Sequence, residues 1–245
     1  MTGLVPLGRL PDRPARLVLV SGEYPEMAER LRKLGIDTVA TIADTRLPAP
    51  IQWHPDMQAC TIGGKMIVLK NNLLSGRLKE CGILAEETFD VPGQSYPKDV
   101  LCNVLAWNKW ALGNAETADK AVLLSAKRLK AVWLNVKQGY AACATALINE
   151  QSAITADKGI ADKLERISMQ VLRISPGAIR LPGYPYGFIG GCCGKLAPDL
   201  MAFTGSLDSH PDGREIRNFL AVRGVQALEL MEGELLDTGG FIALD

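Results

Sequence analysis

Short apolar runs and amphipathic stretches alternate along this chain with a recurring order. Tyr24 to Leu34 has helical spacing and ends at Gly35, a residue suited to closing a helix. The run IDTVATI (36–42) follows it and reads as a strand. Leu78 to Cys81 is a shorter helical piece stopped by Gly82, with ILAEETF (83–89) behind it. Asp119 to Lys130 is helical and leads into AVWLNV (131–136). Asp157 can cap a helix running to about Ser168, before QVLRIS (170–175). Asp212 can cap another that ends at Gly224, before VQALELM (225–231). The pattern predicts five helices, each followed by a strand.

Four further segments resemble one another around a cysteine. They are HPDMQACTIGGKMIVL (54–69), DVLCNVLAWNKWAL (99–112), QGYAACATALIN (138–149) and GGCCGKLAPDLMAF (190–203). Cys60, Cys102, Cys143 and Cys192 stand 42, 41 and 49 residues apart, each before or within an apolar run that reads as a buried strand. Four such strands against five helix–strand pairs leave one unit short. The tail LLDTGGFIALD (235–245) can supply the missing strand beside ARLVLV (15–20) and close a ring across the termini. The expected fold is therefore α/β: one domain, 1–245, a five-fold pseudosymmetric propeller of strand–strand–helix–strand units. The four cysteines are expected at matching positions on the inner strands. An open α/β sheet with a coincidental cysteine spacing is the plainer alternative.

Composition narrows the function. The 245 residues are 47% hydrophobic, enough for a sizeable core, and 27 basic side chains balance 27 acidic ones. A neutral chain without basic runs carries no electrostatic footprint for nucleic acid or an anionic membrane. MTGLVPLGRLPDRP lacks a signal-like apolar stretch and no run is of membrane-spanning length, so a cytoplasmic location is expected. Six cysteines in a chain of this size are expected as free thiols. With two histidines and no Cys-x-x-Cys, neither a metal nor another cofactor is expected.

A ring of five such units resembles the pentein superfamily, the fold of arginine deiminases, amidinotransferases and dimethylarginine dimethylaminohydrolases. QGYAACATALIN (138–149) resembles their nucleophile strand, which implies Cys143 as the nucleophile. His54-Pro55-Asp56 resembles their His-x-Asp motif, and Asp237-Thr238-Gly239-Gly240 their acidic, glycine-rich strand. The order around the ring agrees if the chain start is moved, as in a circular permutation. The chain departs from the pattern after the glycines, where Phe241 replaces an acidic residue, and GGCCGKL stands where a second substrate-binding Asp is expected. The resemblance implies a cysteine-dependent hydrolase or transferase acting on a guanidino or amidino small molecule.

The chemistry suits those residue types. A guanidinium carbon is a poor electrophile, and a thiolate over its planar face is a strong, soft nucleophile. Carboxylates hold the cation's edge through paired N–H bonds, and a histidine protonates the leaving amine and then activates water. Cys143 and His54 are the catalytic candidates, with Asp56 and Asp237 as substrate carboxylates in the same pocket. A protonated His54 is expected to depress the Cys143 thiol.

Each candidate has a plainer reading. Cys143 among alanines can be a small core residue, His54-Pro55-Asp56 a turn, and Asp237-Thr238-Gly239 a bend at the closure. His210-Pro211-Asp212 repeats the motif but precedes a helix, whereas a strand is expected directly after His54-Pro55-Asp56. Cys192, beside Cys193 and three glycines, is read as pore-lining, substrate-contacting and the second candidate nucleophile. Lys195 is a candidate for a substrate carboxylate. Trp107, Asn108 and Trp110 are read as one strand, and Gly-Tyr-Pro-Tyr-Gly (183–187) as a loop able to cover one mouth of the ring. Two other functions stay open: a non-catalytic binding protein, as the ribosome anti-association factors of this fold are, and a redox protein using Cys192 and Cys193. Self-association is left open.

Overall fold

The computed structural model describes residues 6–245. They form five three-stranded sheets. The first joins the two ends of the chain: β1 (Leu17–Val20) runs parallel to β2 (Asp37–Ala40) after α1 (Pro25–Lys33). The short C-terminal strand Ile242–Ala243 lies antiparallel to β1, pairing Val18 with Ala243 and Leu19 with Ile242. The closure expected from the unit count is therefore present.

The other four sheets repeat one plan without crossing the termini. An inner strand turns back through a hairpin into a middle strand, a helix crosses over, and an outer strand returns parallel to the middle one. In the second sheet these are β3 (Ala59–Ile62), β4 (Lys65–Val68), α3 (Leu74–Glu80) and β5 (Ala85–Glu87), with the short α2 (Pro55–Gln58) leading in. The third has β6 (Leu105–Trp107), β7 (Trp110–Gly113), α4 (Lys120–Arg128) and β8 (Val132–Asn135). The fourth has β9 (Thr145–Asn149), β10 (Ser152–Thr155), α5 (Lys158–Glu165) and β11 (Gln170–Arg173). The fifth has β12 (Cys193–Ala197), β13 (Leu200–Phe203), α6 (Gly213–Ala221) and β14 (Gln226–Glu229). The C-terminal Ile242–Ala243 is β15.

The packing shows that the blades close into a ring. One apolar cluster joins the second and third blades through Cys60, Ile67, Val104 and Val122. Others join third to fourth through Leu112 and Leu147, and fourth to fifth through Ile154 and Phe203. The last two join fifth to first through Leu196 and Val20, and first to second through Leu19 and Met66. Each blade thus buries apolar surface against both neighbours. That is why the inner and middle strands are largely apolar and buried on both faces, with few polar residues such as Thr61, Ser152, Thr155 and Lys195 among them.

The helix ends carry the repeat at atomic detail. Five of the helices end in a left-handed residue one or two positions past the C-cap: Gly35, Gly82, Lys130, Ser168 and Gly224 have φ between 53° and 80°. The next N–H donates back to the carbonyl five residues earlier, as in Ile36 to Leu31 and Met169 to Leu164. This closing turn satisfies carbonyls that the helix leaves unpaired. Asp157 caps its helix as expected, accepting from the Ile160 N–H, and Asp119 does the same for α4 through the Ala121 N–H. Asp212 holds the N-cap position of α6 but its side chain accepts no bond from that helix, its carboxylate taking the N–H of Ser175 instead.

Four expectations need correction. The third helix starts at Leu74, not Leu78, because the Asn72 side chain accepts the Leu74 N–H and nucleates it upstream of Ser75-Gly76. Trp107, Asn108 and Trp110 are not one strand. Asn108 turns at φ 46°, and Trp107 pairs with Trp110 across the hairpin. His54-Pro55-Asp56 opens the short α2 before β3, so a helix follows both His-Pro-Asp motifs. The cysteines do not share one register: Cys60 lies within β3, while Cys102, Cys143 and Cys192 lie in the turns entering β6, β9 and β12. All six cysteines are free thiols.

Candidate active site

Three segments converge where the first, third and fourth blades meet the short helix α2. The backbone of Asp237-Thr238-Gly239 docks onto the start of α2, the Asp56 N–H donating 3.3 Å to the Gly239 carbonyl. Gly239 is left-handed, at φ 82°, and a Cβ there would lie 2.5 Å from that of His54, so only glycine lets the two segments meet this closely. The Asp237 carboxylate accepts the Phe188 N–H at 2.8 Å and the Gly239 N–H at 3.1 Å. Gly191 packs against the same carboxylate: a Cβ there would meet Asp237 Oδ1 at a distance that no real contact shows.

Cys143 sits in the turn before β9. Its Sγ lies 2.9 Å from Asp56 Oδ2 and 2.9 Å from Asn103 Nδ2. Asn103 holds this turn: its Oδ1 accepts the N–H groups of Ala142 at 2.8 Å and Cys143 at 3.2 Å, and its Nδ2 also reaches the Asp56 carbonyl at 3.3 Å. The sequence reading missed Asn103. The signal was its place directly after Cys102, one repeat before Cys143.

His54 Nδ1 stands 3.6 Å from Asp237 Oδ1, too far for a strong hydrogen bond, and has no other partner. Asp56 Oδ1 is likewise buried and unpaired. All four side chains are fully or almost fully removed from solvent. Burial pushes the Asp56 carboxyl up to about 6, opposed by the Arg9 guanidinium and by the thiol hydrogen bond. Burial and then the charge of Asp56 push Asp237 up to about 7. Burial alone takes His54 down to about 3, so its imidazole is neutral near pH 7. The Cys143 thiol is pushed well up, first by burial and then by the two carboxylates, with Asn103 opposing. The expectation that a protonated His54 depresses the thiol is therefore not met: burial keeps the imidazole uncharged.

A cavity of about 250 Å³ opens over this group, with His54, Cys143 and Asp237 on its polar side. Asp56 does not line it and meets it only through the thiol. The remaining wall is apolar, including Tyr140, Tyr184, Tyr186 and Phe188, so the 183–187 loop does border the cavity. Cys192 and Lys195 are elsewhere. The thiols of Cys192 and Cys193 both donate to the Ile189 carbonyl within the core between the fourth and fifth blades. Lys195 Nζ is held 2.6 Å from the Pro198 carbonyl, and burial takes it down to about 8. Neither residue lines the cavity: Cys192, in the turn before β12, enters the apolar core, and Lys195, within β12, is tied to the Pro198 carbonyl. His210 is also elsewhere, its Nδ1 accepting the Asp212 N–H at the head of α6. Among the described residues no group of three or more His, Cys, Asp or Glu could hold a metal ion, and no helix is long and apolar enough to cross a membrane.

Comparison of the structure with solved ones gives the fold class. An inosamine-phosphate amidinotransferase, StrB1 of Streptomyces griseus, aligns over 99% of this chain and 97% of its own, with a TM-score of 0.58 and 12% identity. SxtG of Microseira wollei, an amidinotransferase of a saxitoxin biosynthetic pathway, aligns over 100% and 98%, with a TM-score of 0.58 and 9% identity. The agmatine deiminase of C. jejuni aligns over 91% and 89%, with a TM-score of 0.53 and 10% identity. The fold is thus a five-bladed α/β propeller, the fold of these solved structures. Residues 19–242 match the model of a family of unknown function (DUF6873), and the chain belongs to that family. No curated protein matches the sequence.

Proposed function

We propose that the protein is a cysteine-dependent enzyme acting on a guanidino or amidino small molecule, with Cys143 as nucleophile and His54 as the proton-transfer group. One observation carries this reading. Two buried carboxyl groups, Asp56 and Asp237, flank a buried thiol and a neutral imidazole at the floor of a cavity, and Asp56 Oδ1 and His54 Nδ1 have no partner. Burying two mutually repelling carboxyls is costly without a cation. A planar, multiply hydrogen-bonding cation answers that cost, and the similar solved structures include amidinotransferases and an agmatine deiminase.

In this mechanism a bound guanidinium or amidinium restores the carboxylates to their ionised forms and lowers the thiol's proton affinity. The thiol proton passes to His54, and Sγ attacks the central carbon to give a tetrahedral adduct. The imidazolium returns the proton to the departing nitrogen as the C–N bond breaks, leaving a thiouronium on Cys143. Water, deprotonated by His54, or an acceptor amine then displaces the thiolate. Asp237 orients the cation, and Asp56 and Asn103 hold the thiol beneath it. The reaction belongs to a compartment where thiols stay reduced, and the cytoplasm fits.

The test is alkylation by chloroacetamidine, a planar cationic electrophile, against neutral chloroacetamide, followed by peptide mapping. Preferential modification of Cys143 by the amidine, suppressed by guanidinium salts and lost in Asp237→Asn, is expected. A Cys143 that reacts only after unfolding would overturn the reading.

A further inference from the structure

The wall facing Cys143 carries information about the body of the ligand. Tyr140 and Phe188 stack with ring centroids 6.1 Å apart, and Tyr186 meets Phe188 edge-on at 6.1 Å. Tyr96 extends this panel behind Tyr140 at 6.2 Å. Ile51 and Leu181 complete the apolar side. Among the described residues that line the cavity none is Lys or Arg, and the ionisable groups on its floor are Asp237, His54 and the thiol. Of the three tyrosine hydroxyls on this wall, that of Tyr140 is not a free donor, being committed at 2.6 Å to the buried Asp99 carboxylate, while Tyr184 and Tyr186 are exposed. Asp99 adds a second acidic group on the aromatic side, and its charge bears on Tyr184 as well. Arg180 precedes Leu181 in sequence but does not line the cavity; it is exposed, and its charge bears on Tyr24.

A ligand carboxylate placed against this wall would exchange water for rings and methyl groups, would find no cationic or N–H partner but only the exposed phenols of Tyr184 and Tyr186, and would lie near the Asp99 carboxylate behind Tyr140. Each effect opposes binding. A planar cation or an aryl or alkyl body gains there instead, by stacking and by cation–π attraction. The volume, about eight waters at liquid density, limits the ligand to a small molecule. We infer that the cavity selects a guanidinium or amidinium with an apolar body and no carboxylate, an amine-derived guanidine and not an amino-acid-derived one. This rests on the cavity being a guanidino or amidino site, as proposed above.

Two ligands of equal length separate the possibilities: butylguanidine and γ-guanidinobutyrate. Binding is measured by calorimetry on the wild type and on Cys143→Ser, which needs no chemistry, and by protection of Cys143 from chloroacetamidine. Butylguanidine should bind more tightly by on the order of tenfold or more, equivalent to at least about 1.4 kcal/mol. Tyr186→Ala should weaken phenylguanidine more than guanidinium itself. Equal or tighter binding of γ-guanidinobutyrate overturns the inference, and loss of that binding in Arg180→Ala would name the group that was misjudged. Failure of both ligands to bind overturns it too. Selective binding of butylguanidine without any amidine preference at Cys143 would uphold the inference and overturn the catalytic role of the thiol.

Discussion

Replacing Asn103 by Ala should damage both the fold and the thiol. The amide is fully buried and holds the turn that presents Cys143. Its Oδ1 accepts two backbone N–H groups, those of Ala142 and Cys143, and its Nδ2 reaches the Cys143 sulfur and the Asp56 carbonyl. Asn103→Ala leaves both N–H groups without that acceptor in a site closed to water. A buried donor left unpaired costs about 1–3 kcal/mol, so two give roughly 2–6 kcal/mol before any cavity is counted. For a chain of this length about 3 kcal/mol lowers Tm by roughly 6–12 °C. Urea unfolding and thermal melts measure the loss, and the alkylation rate of Cys143 measures the thiol. Asn103→Asp separates the two effects. It keeps the acceptor, so the turn is retained, but it puts a charged oxygen where Nδ2 met the sulfur. Its stability should lie between the two, while its thiol reacts more slowly than the wild type at every pH below the ordinary thiol range. A melting temperature within about 2 °C of wild type for Asn103→Ala, together with an unchanged alkylation rate, would refute the claim that this amide builds the site.

Other outcomes follow from the same geometry. Gly191→Ala must displace the Asp237 carboxylate and should abolish protection of Cys143 by guanidinium, whereas Gly76→Ala in α3, where a Cβ meets nothing within 4 Å, should be neutral or stabilise by about 0.5–1 kcal/mol in urea unfolding. Asp237 has a folded pKa raised from 3.8 to about 7, so the fold binds its proton more tightly than the unfolded chain; its contribution is present at low pH and lost as pH rises through about 7. Denaturation of Asp237→Asn should therefore show stability relative to wild type that is more favourable at pH ~8 than at pH ~5, and an identical offset at both would contradict the assignment. His54 acts oppositely, its depressed pKa of about 3 favouring the fold above the ordinary imidazole range and losing that contribution as pH falls, so His54→Gln should steepen the decline from pH ~4 to ~7. Arg9, whose guanidinium bonds the Phe241 carbonyl and opposes the rise in Asp56, should on mutation to Gln move the pH profile of Cys143 alkylation upward.

The blade order, the closure by the C-terminal strand and three of the helix-ending turns were legible because they rest on local signals. Gly35, Gly82 and Gly224 mark left-handed turns in the sequence, but Lys130 and Ser168 adopt the same conformation without a glycine, so those helix ends were less sharply readable. The hairpin at Asn108 was hidden for a similar reason: tryptophans on both sides made one apolar run of what is two strands. Cys143, His54 and Asp237 could be placed together only through the resemblance of their segments to pentein motifs; as residues in a pattern they read equally as a core thiol, a turn and a bend. Cys192 and Lys195 could not be separated from them, because whether a residue entering an inner strand faces the cavity or the neighbouring blade depends on turn geometry, which the residue types do not encode. Asn103 stayed invisible because its role lies in bonds across blades, to residues some forty positions away.

The most direct measurement is to incubate the protein with phenylguanidine, quench in acid and determine the mass of the Cys143 peptide. The account predicts either an amidino group on Cys143 with aniline released or a phenylamidino group with ammonia released, the released amine at least equal to the adduct, and both absent in Cys143→Ser and diminished in Asp237→Asn. Chloroacetamidine labelling of Cys143 with no such adduct and no released amine, from phenylguanidine or from butylguanidine, would contradict it and leave the cavity a binding site for cations without the transfer step.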